Sequence, residues 1–135
     1  MSEEDIEFVR GTYGAFARGD IPTVLAAFSE DVEWFEAEGM PYGGLYRSGE
    51  AVLQNVFGPI AADLDGFAVT PEEYIGSGAT VVAVVRYTGT GKTTGKALDL
   101  PAVHIWDIRD GKLARFRQFI DTVKFAEVVP VPAPV

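Results

Sequence analysis

The residue whose type and position best suit acid–base chemistry is Glu36. It ends a predicted strand, Val32–Glu36, in which side-chain alternation places it on the same face as Trp34. A carboxylate in apolar, aromatic surroundings has a raised pKa and can act as a base near neutral pH. The alternative is a glutamate exposed at the end of its strand, since residues 37–39 read Ala-Glu-Gly. Both interpretations stay open from the sequence.

His104 is the only histidine in the chain. Alternation along the predicted strand Ala97–Arg109 places it on one face with Ala102 and Trp106. An imidazole there can change its protonation state near physiological pH. The alternative is a core histidine whose two nitrogens are satisfied by hydrogen bonds. We predict a pocket histidine and leave its catalytic role open.

Gln118 lies on the last predicted strand, on one face with Phe116 and Ile120. An amide can donate and accept hydrogen bonds, but it cannot take up a proton at neutral pH. We therefore predict that Gln118 orients or polarises a ligand and is not itself a base.

Composition excludes several other chemistries. The 135 residues include no cysteine, and 20 acidic against 11 basic residues give a formal charge of −9. Thiolate chemistry is therefore excluded, and we expect neither a metal site nor a cofactor. Nucleic acid and anionic membrane surfaces are disfavoured as partners because both need clustered Lys and Arg. No signal peptide and no apolar run of membrane-spanning length is present, so we expect a cytoplasmic protein.

The elements that must position these side chains are helices first and strands afterwards. Helical spacing predicts a first helix from Ser2 to about Gly19, a short second helix capped by Asp20, and a third capped by Ser48 and bent or broken by Pro59. Later strands are predicted at 67–75, 79–88, 97–109 and 113–121, with a hairpin tip at 89–92 and a closing helical turn at 122–128. We expect a single domain over residues 1–135, with its core at about 3–128 and a tail at 129–135.

This order predicts an α+β fold in which a curved antiparallel sheet wraps around the N-terminal helices and leaves a cone-shaped pocket, a cystatin-like α+β barrel. The pocket is expected to take a small hydrophobic ligand or substrate. The outer sheet face is expected to form a homodimer through Val103, Ile105, Arg115, Arg117 and Phe119. The expected pocket lining is mostly aromatic: Tyr13, Phe16, Trp34, Tyr42, Tyr46, Phe57, Ala102, Trp106, Phe116 and Ile120.

The order and spacing of several short motifs resemble the nuclear transport factor 2-like superfamily, in its SnoaL-like and ketosteroid isomerase-like branch. The motifs are Gly19–Asp20, Asp31–Trp34, Gly44–Gly49 and Asp110–Leu113, and the resemblance covers about residues 3–128. It implies that Glu36 aligns with the proton-shuttling carboxylate of ketosteroid isomerases. It also implies a pocket histidine at His104, as in SnoaL-like cyclases.

The chain departs from those relatives at two positions. Cyclases and epoxide hydrolases of this fold carry an aspartate where this chain has Gln118, and the isomerases carry an acid where it has Ala102. Three functions therefore stay open. The first is an isomerase- or lyase-type enzyme that transfers a proton on a carbonyl compound with Glu36 as base. The second is a non-catalytic protein that binds a hydrophobic ligand, and the third is a dimerisation domain.

Overall fold

The structure is a computed structural model that describes residues 2–131, so residues 132–135 of the predicted tail lie outside the described part. Within residues 2–131, five helices and six strands are joined in the order α1, α2, β1, β2, α3, α4, β3, β4, β5, β6, α5, and a π-helical segment, Leu53–Phe57, joins α3 to α4. The helices are α1 (Ser2–Ala17), α2 (Ile21–Ala26), α3 (Gly49–Val52), α4 (Gly58–Asp63) and α5 (Thr122–Val128). The strands are β1 (Phe28–Glu36), β2 (Gly44–Tyr46), β3 (Leu64–Ser77), β4 (Thr80–Gly91), β5 (Ala97–Arg109) and β6 (Lys112–Ile120).

The six strands form one sheet in the order β2-β1-β6-β5-β4-β3. All neighbouring pairs are antiparallel except β1 and β6, which run parallel. Helix α1 packs across β3 and β4, and α5 packs against β5. The predicted α+β class is confirmed, with the correction that the sheet is mixed. The parallel pair brings β1, which carries Glu36, beside β6, which carries Gln118.

Side-chain alternation places the polar candidates as predicted. Glu36, His104 and Gln118 are all buried, on strands whose inward positions are otherwise apolar. In the register between β5 and β6, His104 lies directly opposite Gln118. The outward positions, such as Phe119, are exposed or half-buried. Within residues 2–131, the buried strand positions of the sheet are otherwise apolar or aromatic, with the hydroxyl of Tyr87 as a further polar group.

The third helical stretch is interrupted, as Pro59 predicts. Ser48 caps α3 by accepting the backbone N–H of Ala51 at 3.0 Å. The N–H of Gly58 then bonds to the carbonyl of Leu53, five residues back, and α4 begins with Pro59 in its first turn. Proline has no N–H to donate, so the wider π-helical turn accommodates it with little loss of hydrogen bonding. Phe57 lies at the end of this turn.

Three expectations about the elements need correction. Residues 44–46, expected as loop, pair with β1 as the short strand β2. Residues 89–91, expected as a hairpin tip, still belong to β4, and the turn lies at 92–96, where the Gly91 N–H bonds to the Lys96 carbonyl. Strand β1 begins at Phe28 and not at Val32. Within residues 2–131, no helix is long and apolar enough to cross a membrane.

Candidate functional site

An internal cavity of about 50 Å³ lies between the helices and the inner face of the sheet. One water needs roughly 10–15 Å³ on this measure, so the cavity holds more than a single water. Its wall is mostly apolar and aromatic, and among the described residues that line it Glu36 is the only acidic one. The lining residues are Thr12, Tyr13, Phe16, Val24, Phe28, Trp34, Glu36, Val56, Phe57, Ile60, Phe67, Val69, Tyr87, His104, Trp106 and Phe116.

Stacked rings hold the sheet side of the cavity. Trp34 and Phe116 lie nearly parallel with ring centroids 3.7 Å apart. Phe116 also packs edge-on against His104 at 4.7 Å and tilts against Trp106 at 4.6 Å. Such ring pairs restrain one another's orientation, so the polar atoms attached to this cluster have fixed directions. The cavity wall is therefore stiff where its polar groups lie.

Glu36 is 1% exposed at the end of β1. Its Oε1 accepts the indole N–H of Trp34 at 2.9 Å, whereas Oε2 is buried and has no hydrogen-bond partner among residues 2–131. Burial raises the pKa of Glu36 to about 7, and the Trp34 indole and the Gln118 amide partly oppose that rise. The result is a carboxyl group that exchanges a proton near neutral pH and has one oxygen unpartnered.

His104 lies between two tyrosine hydroxyls. The Tyr13 Oη is 2.6 Å from its Nδ1, and the Tyr87 Oη is 2.6 Å from its Nε2. Burial lowers the pKa of His104 to about 3, so the ring is neutral at physiological pH. Burial also raises the pKa of both tyrosines, which therefore keep their protons. Both ring nitrogens of His104 are therefore occupied by tyrosine hydroxyls.

Gln118, which we expected to orient or polarise a ligand, is not among the residues that line the cavity. Its Oε1 accepts the backbone N–H of Ala37 at 3.1 Å, and its Nε2 donates to the Tyr87 Oη at 2.7 Å. Both ends of the amide are thus used within the protein. Gln118 connects the strand end at Glu36 to the hydroxyl of Tyr87.

Four residues expected in the pocket lining lie elsewhere. Tyr42 donates to Asp63 Oδ2 at 2.9 Å, Tyr46 donates to the carbonyl of Tyr42 at 2.7 Å, and both line a surface groove. Both hydroxyls bond to these acceptors, and neither residue lines the cavity. Ala102 and Ile120 pair across β5 and β6 one position beyond His104 and Gln118 on the inner face. Helix α5 packs against β5, and neither residue reaches the cavity.

Tyr87 is the functional residue that sequence patterns did not single out. It follows Val81, Ala83 and Val85 on the inner face of β4, so alternation could have assigned its face. Its contact with His104 could not have been predicted, because the two residues are not register partners: Tyr87 pairs with Leu100, and His104 with Ala83. The length of the tyrosine side chain spans that offset.

No metal site is built into the part of the chain that the structure describes. Within residues 2–131, no three His, Asp or Glu side chains converge as metal ligands would. The polar groups of the cavity instead suit an uncharged ligand oxygen and an acidic C–H bond, because they combine tyrosine hydroxyls with one unpartnered carboxylate oxygen.

The outer face of the sheet carries an apolar pair beside an ion-pair cluster. Phe119 is 49% exposed, and its ring lies 6.3 Å from that of Phe35. Asp107 pairs with the guanidinium groups of Arg115 at 2.8 Å and Arg117 at 3.8 Å.

The chain belongs to the SnoaL-like domain family, whose profile matches residues 9–116. This agrees with the resemblance carried by the short motifs. An NTF2-like protein from Burkholderia thailandensis has a crystal structure similar to this one, with a TM-score of 0.89 and 32% identity, and the match covers 96% of this chain and 98% of that one. The fold class and the superfamily expected from the sequence are thereby confirmed.

Two further relatives are similar over most of the chain. An uncharacterized protein of Mycobacterium tuberculosis is 31% identical over 119 residues, which cover 87% of this chain and 88% of that one. TerC, crystallised with polyporic acid, is 31% identical with a TM-score of 0.85, and the match covers 93% of this chain and 97% of TerC. The first relative carries no assigned activity, and the second was studied with a small organic molecule.

Proposed function

We propose that this protein is an enzyme of the isomerase or lyase type that moves a proton next to the carbonyl group of a small, largely apolar compound, with Glu36 as the base. One observation carries the proposal. The Oε2 of Glu36 is buried and unpartnered, on a side chain that lines an apolar cavity, and the pKa of this carboxyl group is about 7. A general base acts best when its pKa lies near the working pH.

The reaction begins when Glu36 Oε2 takes a proton from the carbon beside the carbonyl. The electron pair of that C–H bond moves into a new carbon–carbon double bond, and the carbonyl π electrons move onto the oxygen to give an enolate. Where the substrate carries a double bond between its β- and γ-carbons, the enolate is a dienolate; Glu36 returns the proton to the γ-carbon, the double bond shifts to the α,β position and the carbonyl re-forms, which completes an isomerisation. In the lyase variant, the enolate re-forms the carbonyl and expels a leaving group from the β-carbon.

The surrounding residues supply orientation and charge stabilisation. Trp34 holds Oε1 through its indole N–H, which fixes the carboxylate plane and leaves Oε2 for the substrate. The enolate oxygen needs a hydrogen-bond donor in a site without bulk water, and the tyrosine hydroxyls on the cavity wall can provide one. His104 and Gln118 act on the substrate through these hydroxyls.

Two further observations bear on the substrate. TerC, which is similar to this chain, was crystallised with polyporic acid, and this supports a small organic molecule as the ligand. The cavity of about 50 Å³ favours a compound no larger than a single ring, unless the aromatic wall moves.

A ligand-binding protein without catalysis is the alternative, and the predominance of apolar lining residues favours it.

Exchange of carbon-bound hydrogen in D₂O separates these alternatives even while the natural substrate is unidentified. Proton NMR follows the loss of α-hydrogen signal from a panel of small ketones that includes cyclohex-2-enone. We expect the wild-type protein to accelerate exchange and Glu36→Gln to lose about 100-fold or more. Glu33→Gln, an outward-facing glutamate on the same strand, is the matched control and should exchange like the wild type. Binding of the ketones without exchange would favour the binding protein.

We also propose that the outer face of the sheet pairs with a second copy of the chain. Phe35, Phe119 and the equally exposed Leu45 form an apolar ridge, since Leu45 is the register partner of Phe35. Exposed apolar patches of this kind are typical of interaction sites. The expected interface residues Val103, Ile105, Arg115 and Arg117 lie on this same face.

A further inference from the structure

The hydrogen bonds around His104 contain one proton more than they can use. A neutral imidazole carries one N–H, and each tyrosine hydroxyl carries one O–H. The chain Tyr13–His104–Tyr87 therefore holds three protons for its two oxygen–nitrogen bridges. Each bridge uses one proton. One hydroxyl proton, on either Tyr13 or Tyr87, must therefore be donated to a group other than these three side chains.

The outer neighbours of the two tyrosines cannot accept that proton, because both are donors. The Trp106 indole N–H donates to the Tyr13 Oη at 2.9 Å. The Gln118 Nε2 donates to the Tyr87 Oη at 2.7 Å, and its amide orientation is fixed because Oε1 accepts the Ala37 N–H. Both tyrosines line the cavity. The remaining hydroxyl proton is therefore available there.

The position of Glu36 distinguishes the two ends of this hydrogen-bonded series, Tyr13 and Tyr87. Tyr87 is the tyrosine joined to the strand end that carries Glu36, because Gln118 accepts the Ala37 N–H at 3.1 Å and donates to the Tyr87 Oη at 2.7 Å. In keeping with this geometry, burial and, next, the Glu36 carboxylate raise the pKa of Tyr87. For Tyr13, the groups that act besides burial are Trp106 and Tyr74, and Glu36 is not among them. An ionised Glu36 attracts the free hydroxyl proton towards its own side of the cavity. Tyr87 then keeps that proton, His104 donates from Nε2 to Tyr87, and Tyr13 donates to Nδ1.

We propose that His104 is a neutral positioning residue whose Nε2–H tautomer aims the Tyr87 hydroxyl proton into the cavity, where Tyr87 donates to the ligand oxygen while Glu36 Oε2 faces the ligand's acidic C–H bond. The ligand class that fits is an uncharged carbonyl compound, whose oxygen accepts one hydrogen bond. The contact with substrate rests on the proposed function. The free proton and the tautomer do not, because the hydrogen-bond geometry requires the free proton and the position of Glu36 beside Tyr87 selects the tautomer.

The single histidine makes the tautomer directly measurable. In protein labelled with ¹⁵N-histidine, the one imidazole ring gives two ring-nitrogen signals. Their chemical shifts and their couplings to the ring hydrogens identify the protonated nitrogen, and no other histidine has to be distinguished. At pH 8 we expect a neutral ring with the proton on Nε2. A ring protonated on Nδ1, or an imidazolium ion, would overturn the proposal.

The matched pair Tyr87→Phe and Tyr13→Phe tests the direction in which the hydrogen bonds between Tyr13, His104 and Tyr87 are donated. Without the Tyr87 hydroxyl, an Nε2–H would be buried with no acceptor, so the ring should change to Nδ1–H and donate to Tyr13. Without the Tyr13 hydroxyl, Nε2–H should remain. The same tautomer in both variants would overturn the proposal. Glu36→Gln removes the attracting charge and should increase the Nδ1–H fraction, whereas Glu33→Gln should not.

Ketone exchange supplies the ligand arm of the test. With cyclohex-2-enone in D₂O, Tyr87→Phe should lose about 100-fold in exchange rate, and Tyr13→Phe less than about tenfold. Equal losses would contradict the assignment of Tyr87 as the donor. If the wild type shows the Nε2–H tautomer but exchanges no ketone, the proposed enzymatic function fails while the positioning of the proton by His104 stands.

Discussion

The indole N–H of Trp34 donates to Oε1 of Glu36 at 2.9 Å, between side chains two residues apart on one strand face. This contact satisfies one carboxylate oxygen and leaves the other buried without a partner among residues 2–131. An unsatisfied buried charge destabilises a protein, and the proposed role of Glu36 as a base gives that cost a purpose. The consequences can be measured as the pH dependence of unfolding, as the selectivity between ketones of different size and as the titration of Glu36.

Glu36 should destabilise the folded protein above neutral pH. Its pKa is about 7 in the folded protein against an ordinary value of 4.5. Between these values the folded state binds more protons than the unfolded state, so this residue lowers stability as pH rises through that window. At about 1.4 kcal/mol per pKa unit, Glu36→Gln should gain roughly 3 kcal/mol over the wild type at pH 8. Urea unfolding of both proteins at pH 8 and pH 5 measures this, and an equal difference at the two pH values would contradict it.

His104 should give stability the opposite pH dependence. The Glu36→Gln variant allows this to be measured, because the opposing contribution of Glu36 is then absent. Burial lowers the pKa of His104 from 6.5 to about 3, so the unfolded state binds more protons between those values. Stability from this residue therefore rises as pH increases through the window and is complete above about 6.5. In the wild type the two effects partly cancel between pH 4.5 and 6.5. The Glu36→Gln protein should become steadily more stable from about pH 4 to 6.5, and a flat profile would show that His104 is not buried in its neutral form.

Phe57 should control the size of the compounds that enter. Phe16, Phe57, Ile60 and Phe67 line both the cavity and an adjoining surface groove, so these side chains separate the two. Phe57→Ala should raise the exchange rate of 2-decalone relative to cyclohex-2-enone by about tenfold or more. Leu53→Ala is the control, because Leu53 lies on the same π-helical segment but lines only the groove. A similar change of ratio in both variants would place the entrance elsewhere.

The association of two chains through the outer sheet face should depend on Phe119. Light scattering should give twice the chain mass of 14.6 kDa for the wild type and the single-chain mass for Phe119→Asp. A charge introduced into an apolar contact is costly to desolvate. Val123→Asp is the control, because Val123 is 74% exposed on α5, and this variant should associate like the wild type. A Phe119→Asp protein that keeps the double mass would move the interface away from this face.

The sequence was sufficient to predict which faces carry the polar candidates. Alternation has a period of two residues, so Glu36, His104 and Gln118 could be assigned to the interior once their strands were recognised. Their partners could not be predicted in the same way. Tyr87 reaches His104 across an offset in register, and Gln118 uses both ends of its amide inside the protein. Such contacts depend on side-chain length and on the parallel β1–β6 pair, neither of which local patterns describe.

Tyr42 and Tyr46 show a second limit of sequence patterns. Tyr42 and Tyr46 suit a pocket rim by residue type, yet their hydroxyls bond to Asp63 and to the Tyr42 carbonyl. An acceptor 21 residues away in the chain decides where Tyr42 points. The π-helical turn was only half predictable: Pro59 indicated a break, whereas the wider turn that places Phe57 required the structure.

Titration of the Glu36 carboxyl group tests most directly whether Glu36 is a buried base with a raised pKa. Carbon-13 NMR of protein labelled at the glutamate δ-carbon follows each carboxyl, and Glu36→Gln identifies the signal by its loss. We predict that this signal titrates near pH 7, because burial raises the pKa of Glu36 to about 7. A midpoint near the ordinary value of 4.5 would show a solvated carboxylate and would contradict its role as the buried base.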